Sequence, residues 1–262
     1  MTIILYNAAY STCSQKVRIC LAEKGLPFEE KRLNLAKREH LTPDYLALNP
    51  NGVVPTLVDD GKVIIDSSVI CEYLDEVYDG TALSPANAVA RAKMRAWMRF
   101  VEEVPTAAVR VPSFNRAFLN RFDGQDRETF LRQEADIRPL RKQFYRRMGP
   151  GGFGRSDVEA SLEQLQRTVR RIASMLQETG GPWLLGDAFS LADIVVLPLI
   201  DRTDDLGLDH IWADLPEVRR WLDACRARPS FSQAFYAGSR LSETHQFRVL
   251  FAADPQDDSP AV

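Results

Sequence analysis

The sequence is poor in the residue arrangements that cross-link a protein or hold a metal. Its 262 residues include four cysteines and three histidines. No cysteine pair is spaced Cys-x-x-Cys, and no cysteine–histidine cluster has the spacing of a zinc site. We therefore expect free thiols, no metal and no disulfide scaffold, which is typical of a protein from a reducing compartment.

A surplus of positive charge and a long hydrophobic run are also missing. The formal net charge is −3, which argues against a nucleic-acid partner. We interpret one locally basic stretch, residues 132–147, as a solvated helix face rather than a binding patch. The longest nearly apolar run, residues 194–200, is too short for a membrane span, and the N-terminus does not look like a signal peptide. These features predict a cytoplasmic location and no membrane partner.

The first 80 residues alternate between strand-like and helix-like patterns. Residues 2–6 and 28–33 favour strands, and a helical period begins between them at Ser14. Residues 54–65 favour a hairpin around an Asp-Asp-Gly turn, and a second clear helical period follows it. The order β-α-β-α-β-β-α predicts an α/β domain with a parallel strand pair.

Strand-like patterns almost vanish after this domain. Residues 81–87 have the composition of a linker, and residues 88–250 are predicted to form an all-helical domain. The acidic, proline-rich residues 251–262 are expected to be frayed. Helical periodicity occupies five segments of the second domain, which are 88–110, 126–147, 157–178, 190–203 and 215–227.

Ser11 lies where the first strand meets the first helix. Backbone N–H groups at a helix start favour a negative charge, and a serine hydroxyl there can donate a hydrogen bond to a thiolate and lower the pKa of the thiol. The same serine also fits an ordinary helix N-cap. The position of Ser11 alone does not distinguish activation of a thiol from capping of the helix.

Two further motifs suit a peptide-like ligand. A cis Val54-Pro55 bond exposes the backbone of Val54 for pairing with an extended peptide, whereas a trans bond fits an edge strand. Asp66 and Ser67 precede a helix, where they can bind the ammonium and carboxylate of an amino-acid head group or simply cap the helix.

Ser190 and Asp193 have the spacing of a capping box, with Asp in place of the usual Glu. Phe189 and Ile194 have the spacing of a hydrophobic staple around it. We interpret this motif as structural, as the start of a buried helix.

These features, in this order, resemble the cytosolic glutathione transferase family over nearly the whole chain. NPNGVVPTLVDDGKVIIDSSVICEYLDE is the most specific stretch, and GDAFSLADI resembles the capping motif of the family's helical domain. The resemblance implies a thioredoxin-like glutathione-binding domain over residues 1–80 and a C-terminal helical bundle. It also implies glutathione as co-substrate, no other cofactor, and a homodimer.

The resemblance assigns roles to individual residues. Val54-Pro55 is the loop that pairs with the cysteinyl backbone of glutathione, and Asp66 and Ser67 take its γ-glutamyl end. His40 falls where some serine-type classes contact the glycine carboxylate, although an exposed loop histidine explains it equally well.

Ser11 occupies the position of the catalytic serine in serine-type classes. The segment STCSQKVRI is similar to the zeta class, which places Cys13 where isomerases of that class carry a cysteine. Ser14 is a second candidate for activating the thiol, one turn further into the helix.

A narrower likeness is to bacterial β-etherases, which use glutathione to cleave β-aryl ethers of lignin-derived dimers. It rests on DGKVIIDSSVICEYLDEVY, KMRAWMRFVEE and RKQFYRRMGPGGFGRSDVE. It implies a hydrophobic, aromatic electrophile held by the helical domain. The candidate pocket residues are Trp97, Phe100, Val101, Val104, Phe114, Phe118 and Tyr145.

Two alternatives stay open. One is a zeta-like isomerase of an unsaturated diketo acid, which needs cations such as Arg18, Arg110 or Arg116 for two carboxylates. The other is a non-catalytic protein that binds glutathione or another ligand.

Overall fold

The computed structural model describes residues 2–251, so almost all of the tail predicted to be frayed lies outside the described residues. The N-terminal part contains one four-stranded sheet in the order β2-β1-β3-β4. β1 pairs in parallel with β2 and antiparallel with β3, and β3 pairs antiparallel with β4. The strands are β1 (Ile3–Asn7), β2 (Glu29–Arg32), β3 (Thr56–Asp59) and β4 (Lys62–Ile65).

Three helices complete this domain. They are α1 (Thr12–Glu23), α2 (Pro43–Leu48) and α3 (Ser67–Val77), with one short 3-10 turn at Glu39–Leu41. Asp60 and Gly61 take positive φ angles of 44° and 81°, as a tight hairpin between β3 and β4 requires. The predicted β-α-β-α-β-β-α order and the parallel pair are confirmed.

The rest of the described chain is helical, as predicted. The long helices are α4 (Ala88–Glu103), α9 (Arg155–Thr179), α10 (Leu191–Asp205) and α11 (Pro216–Arg226). The short helices are α5 (Pro105–Ala108), α6 (Arg110–Ser113), α7 (Arg127–Phe130), α8 (Lys142–Arg147), α12 (Pro229–Ala234) and α13 (Leu241–Thr244). Within residues 2–251, no helix is both long and apolar enough to cross a bilayer.

One predicted helix is broken. The pattern over residues 126–147 predicts a continuous helix, but the structure has α7, a π-helical turn at Leu131–Ala135, a bend, and then α8. Pro139 lies in the bend. Proline lacks an N–H and disfavours helical geometry in the residue before it, so the helix cannot run through this position unbroken.

The two domains share one hydrophobic core. It joins Leu21 of α1 and Ile70 of α3 to Trp97 of α4 and Ile194 of α10. The Trp97 indole N–H donates to the Ala192 carbonyl at 2.9 Å, which fixes α4 against the start of α10. A continuous core holds the domains in one arrangement, so a cleft between them has a defined shape.

The start of α10 confirms the predicted capping box. The Asp193 carboxylate accepts from the backbone N–H of Ser190 at 3.1 Å. It also accepts from the N–H groups of Leu184 and the Trp221 indole, at 3.0 and 2.9 Å. Burial raises the pKa of Asp193 to about 6, against the effect of these hydrogen bonds. The motif therefore ties three segments of the helical domain together.

Candidate active site

A cavity of about 200 Å³ lies between the two domains. The first domain supplies the start of α1 and the backbone near Val54. The second domain supplies α5, α6, α8 and the aromatic segment between α6 and α7. Groups from both domains therefore face one space.

Ser11 lines this cavity as the N-cap of α1. Its Oγ accepts a hydrogen bond from the Ser14 backbone N–H at 3.3 Å. A hydroxyl that accepts still has its own O–H to donate. The Ser11 O–H is thus a donor at the cavity, beside the positive end of the α1 dipole.

Cys13 also lines the cavity, and its side chain is partly exposed. Ser14 does not line it. Ser14 is fully buried, and its Oγ accepts from the Ala8 backbone N–H at 3.3 Å. The structure brings Ser11 and Cys13 to the cavity and leaves Ser14 fastening the loop before α1.

Val54 lies on the cavity wall, and its bond to Pro55 is cis. Within the described part of the chain, no group forms a hydrogen bond with the Val54 backbone N–H or C=O. The neighbouring Val53 carbonyl, by contrast, accepts from the side chains of Tyr45 and Asn49 at 2.6 and 3.0 Å. The backbone of Val54 is therefore available to a ligand.

His40 lines the cavity and is only 5% exposed, so it is not an exposed loop residue. Its Nε2 lies 3.2 Å from Nη1 of Arg138. Burial, with the nearby charges of Arg138 and Arg121, lowers the pKa of His40 to about 3, so the imidazole is neutral. Because arginine only donates, Nε2 accepts and the proton is assigned to Nδ1. That buried Nδ1 has no partner among the described residues.

Asp66 and Ser67 begin α3 and are not among the residues that line the cavity. Asp66 has a φ of 73°, and its Oδ1 accepts from the N–H groups of Ser68 and Val69 at 3.0 and 3.1 Å. A non-glycine residue in this backbone region costs about 1–3 kcal/mol and occurs mainly at functional sites. The Asp66 side chain is exposed, while Ser67 is nearly buried.

A buried ion pair behind Cys13 was not predicted from the sequence. Lys16 Nζ lies 2.5 Å from Glu102 Oε1, and the Ser68 hydroxyl donates to the same oxygen at 2.5 Å. Burial opposes the Lys16 ammonium, but attraction to Glu102 outweighs it and raises the pKa of Lys16. The Glu102 carboxyl pKa is lowered, since Lys16 and Ser68 outweigh its burial. This network joins α1, α3 and α4.

Three of the predicted pocket residues do line the cavity, namely Phe114, Phe118 and Tyr145. Phe114 packs edge-on against Phe118, with ring centroids 5.1 Å apart, and against Tyr145 at 5.7 Å. The structure adds aromatic lining residues that the sequence did not single out, which are Tyr10, Phe122 and Phe130. One side of the cavity is thus an aromatic wall.

The other four predicted pocket residues lie away from the cavity. Trp97 and Val101 belong to the shared core and are essentially unexposed, and Phe100 stacks on Trp97 at 5.4 Å. Val104 is half-buried where α4 gives way to α5. The physical reason is the orientation of α4, whose apolar face packs against α10 rather than toward the cleft.

Among the arginines considered for a carboxylate, Arg110 lines the cavity. Arg18 does not, because it binds the Asn7 side chain and the Ala9 and Ala234 carbonyls. Arg116 also lies outside the lining and donates to the Leu206 and Arg248 carbonyls.

The basic stretch over residues 132–147 is not simply a solvated face. Arg138 and Arg141 line the cavity, and Arg138 is only 5% exposed. Arg132, Arg146 and Arg147 do face solvent. The interpretation failed because the break between α7 and α8 turns part of this segment inward.

All four cysteines in the described structure are unpaired thiols. Among residues 2–251, no group of three or more His, Cys, Asp or Glu side chains is arranged to hold a metal ion. The side chains that line the cavity include hydroxyl, thiol, imidazole, carboxylate and guanidinium groups.

Comparison with known proteins finds two matching family models. Residues 10–77 match the N-terminal domain of glutathione S-transferase, and residues 155–224 match its C-terminal domain.

Individual relatives match over most of their length. The chain is 34% identical to the maleylacetoacetate isomerase of Pseudomonas aeruginosa, over 88% of this chain and 94% of the isomerase. It is 29% identical to protein LigF of Sphingobium sp., over 92% of this chain and 95% of LigF. The crystal structure of the β-etherase LigF superposes with a TM-score of 0.80, covering 90% of this chain and 99% of that chain.

Proposed function

Because the chain belongs to the glutathione transferase family, we propose that it transfers the thiolate of glutathione to an aromatic electrophile bound in this cavity. The candidate reaction is cleavage of a β-aryl ether. The likeness to LigF, which is named as a β-etherase, supports this choice because it extends over most of both chains.

One observation carries the proposal. Ser11 from the first domain and the aromatic wall of Phe114, Phe118 and Tyr145 from the second face the same cavity. A free hydroxyl donor at a helix N-terminus suits a thiolate, and aromatic rings suit an aryl group. The two reactants therefore have complementary places in one space, which is what a bimolecular reaction requires.

The residues present fit glutathione. The unpaired Nδ1–H of His40 suits one carboxylate of the tripeptide, and the free backbone of Val54 suits its extended cysteinyl unit. Asp66 and Ser67, at the start of α3, suit the γ-glutamyl end, since Asp66 uses only Oδ1 for capping. Ser11 then holds the sulfur at the start of α1.

The chemical step is a substitution in which this chain stabilises the nucleophile. The thiol proton leaves to solvent, and the Ser11 O–H donates to the thiolate. Sulfur attacks the β-carbon of the aryl ether, which is the carbon bonded to the ether oxygen. The C–S bond forms, and the C–O bond to the aryl oxide breaks. The departing aryl oxide takes up a proton as a phenol, so atoms and charges balance. The contribution expected of Ser11 is that of a hydrogen bond to a charged group, about 1.5–3 kcal/mol.

The direct test uses an aryl ketone in which the carbon next to the carbonyl carries an umbelliferyl ether. The readout is the release of fluorescent umbelliferone. We expect release that requires both the protein and reduced glutathione and that depends on Ser11. If glutathione binds but no electrophile is consumed, the chain is a glutathione-binding protein and the transferase proposal fails.

A second candidate is favoured by the position of Cys13 on the cavity wall beside Arg110. In a zeta-like isomerase, a thiol adds to a double bond of an unsaturated diketo acid and is later expelled. The 34% identity to an isomerase supports this alternative. It predicts isomerisation without consumption of glutathione, and loss of activity in Cys13→Ala. A Cys13→Ala variant that still releases umbelliferone favours the transferase.

A further inference from the structure

The cavity wall is strongly cationic. Its lining includes six arginines, which are Arg38, Arg110, Arg121, Arg138, Arg141 and Arg202. The one carboxylate in the lining, within the part of the chain that the structure describes, is Glu134. An aromatic pocket for a neutral compound does not need this charge.

Two of these arginines are neutralised by carboxylates. Arg38 pairs with Glu134 at 2.6 Å. Arg202 lies 3.8 Å from Asp205 and donates to the Tyr10 carbonyl at 2.5 Å. These contacts account for Arg38 and Arg202 as structural groups, and they use the single lining carboxylate.

Arg110 has no such partner. Within residues 2–251 its guanidinium forms no hydrogen bond and no ion pair, and it lies over the Phe144 ring at 5.5 Å. Burial and then repulsion by Arg141 lower the pKa of Arg110 to about 10, so it remains charged at neutral pH. Among the described residues, the Arg141 guanidinium donates only to the neighbouring Leu140 carbonyl, at 3.1 Å.

The Glu102 carboxylate attracts Arg110, but it is already paired with Lys16. Two neighbouring guanidinium groups without a carboxylate of their own are unfavourable in a partly dry cleft. An anion between them removes both the repulsion and the unmet hydrogen-bonding capacity. Carboxylates suit this role because arginine offers two parallel N–H donors to their two oxygens. The arrangement therefore fits a ligand that carries a carboxylate.

The place of these arginines distinguishes the electrophile from glutathione. Arg110 and Arg141 belong to the helical domain, on the side of the aromatic wall. The groups suited to glutathione, at Ser11, Val54 and His40, come from the first domain. We propose that the electrophile is an aromatic carboxylate, with its ring against Phe114 and Phe118 and its carboxylate bound by Arg110 and Arg141. This proposal rests on the proposed transferase function and names its substrate class.

The test uses a matched pair of probes, 4-chloro-3,5-dinitrobenzoate and its neutral amide, 4-chloro-3,5-dinitrobenzamide. In both, glutathione sulfur attacks the ring carbon that carries chlorine, the C–S bond forms, chloride leaves, and the thiol proton goes to solvent. Each enzymatic rate is divided by the uncatalysed rate with glutathione, because the two rings differ in intrinsic reactivity. The remaining difference between the two normalised rates reports the effect of the carboxylate charge.

We expect the normalised kcat/KM to favour the benzoate by about tenfold or more, the usual effect of a hydrogen bond to a charged group. Arg110→Gln and Arg141→Gln are each expected to abolish most of this preference by raising the KM for the benzoate. The KM for glutathione and the kcat/KM for the amide should change far less than the KM for the benzoate. Arg170→Gln, which removes an exposed arginine on α9, is the matched control and keeps the full preference.

Three outcomes overturn the substrate class while leaving the transferase function intact. They are equal normalised rates for the two probes, a preference that survives both cavity variants, and a rise in the KM for glutathione instead of the benzoate. The last outcome means that the arginines hold glutathione. If Arg110→Gln fails to fold, as shown by circular dichroism, the Arg141→Gln variant decides. No turnover of either probe and no binding of glutathione contradicts the proposed function itself.

Discussion

Arg138 donates from Nη1 to Nε2 of His40 across 3.2 Å, and this contact joins the helical domain to a loop of the first domain. The bond fixes the neutral tautomer of His40, and its buried Nδ1–H has no partner among the described residues. A residue of the helical domain thus leaves His40 with an unused donor, which the proposed function assigns to glutathione.

His40 is expected to bind glutathione and not to take part in the chemical step. His40→Leu should raise the KM for glutathione by about tenfold, since a carboxylate loses one donor, and should leave kcat nearly unchanged. His40→Asn, whose amide N–H₂ replaces Nδ1–H, should recover part of the affinity. Steady-state kinetics with varied glutathione measures both. An unchanged KM in His40→Leu contradicts this role.

The affinity for glutathione should not change with pH through titration of His40. The His40 pKa of about 3 lies far below the working range, so the imidazole stays neutral throughout it. The KM for glutathione is therefore expected to stay constant between about pH 5 and pH 8, where an ordinary histidine titrates. A change in KM near pH 6.5 that disappears in His40→Asn would show that His40 is charged in the free protein.

Two substitutions at Ser11 separate catalysis from helix capping. Both Ser11→Ala and Ser11→Gly remove the hydroxyl, so each should lower kcat/KM by about 10- to 100-fold and shift the acid limb of its pH profile to higher pH. Glycine, unlike alanine, is favoured at a helix N-cap, so only Ser11→Ala should lose about 1 kcal/mol of stability. Kinetics and thermal unfolding are compared, with Ser232→Ala on the surface as control. Full activity in Ser11→Gly excludes Ser11 as the activating residue.

The buried pair of Lys16 and Glu102 should contribute strongly to stability. Glu102→Gln leaves the fully buried Lys16 ammonium without a counter-charge, which is expected to cost about 3 kcal/mol. The exposed neighbour Glu103 provides the control, since Glu103→Gln should change stability little. Urea unfolding measures both variants.

This effect has a defined pH dependence. The pKa of Glu102 in the folded state is lowered from 4.5, so the pair is fully present above pH 4.5 and is lost as the pH falls through the folded pKa. The Lys16 pKa is raised from 10.5, so its contribution is complete below pH 10.5 and is lost at still higher pH. The difference between wild type and Glu102→Gln should shrink in acid. A difference independent of pH would contradict the ionic account.

Alanine at position 52 is expected to cost more stability than the positive φ angle of Gly52 alone implies. Gly52 and Gly61 both have positive φ angles, 57° and 81°, so alanine should cost about 1 kcal/mol at each. A Cβ at Gly52 would lie 2.9 Å from the Arg138 Cγ and the Leu41 Cδ2, whereas one at Gly61 meets nothing within 4 Å. Gly52→Ala should therefore be the less stable variant and should also raise the KM for glutathione. Equal melting temperatures and kinetics would contradict the contact with Arg138.

The sequence predicts the elements whose causes are local. The turn at Asp60 and Gly61, the capping box of Ser190 and Asp193, and the order of strands and helices all follow from neighbouring residues. Ser11 and Cys13 line the cavity, in keeping with their predicted place between the first strand and the first helix, whereas Ser14, Asp66 and Ser67 do not line it.

The lining from the helical domain was harder to predict. Periodicity identifies a buried face, but it does not separate a core position such as Trp97 from a cavity position such as Phe114. Arg138 and Arg141 resembled surface charges because the bend at Pro139, which turns them inward, depends on tertiary packing. The signal available in the sequence was Pro139, which interrupts a helical pattern next to several arginines.

The central claim is that glutathione binds at the first-domain side of the cavity, and calorimetric titration with reduced glutathione tests it most directly. The account predicts saturable binding of one molecule per chain, weakened about tenfold in Ser67→Ala, which removes one hydroxyl at the start of α3. Circular dichroism of both proteins verifies that they are folded. No saturable heat with folded wild-type protein would contradict the account.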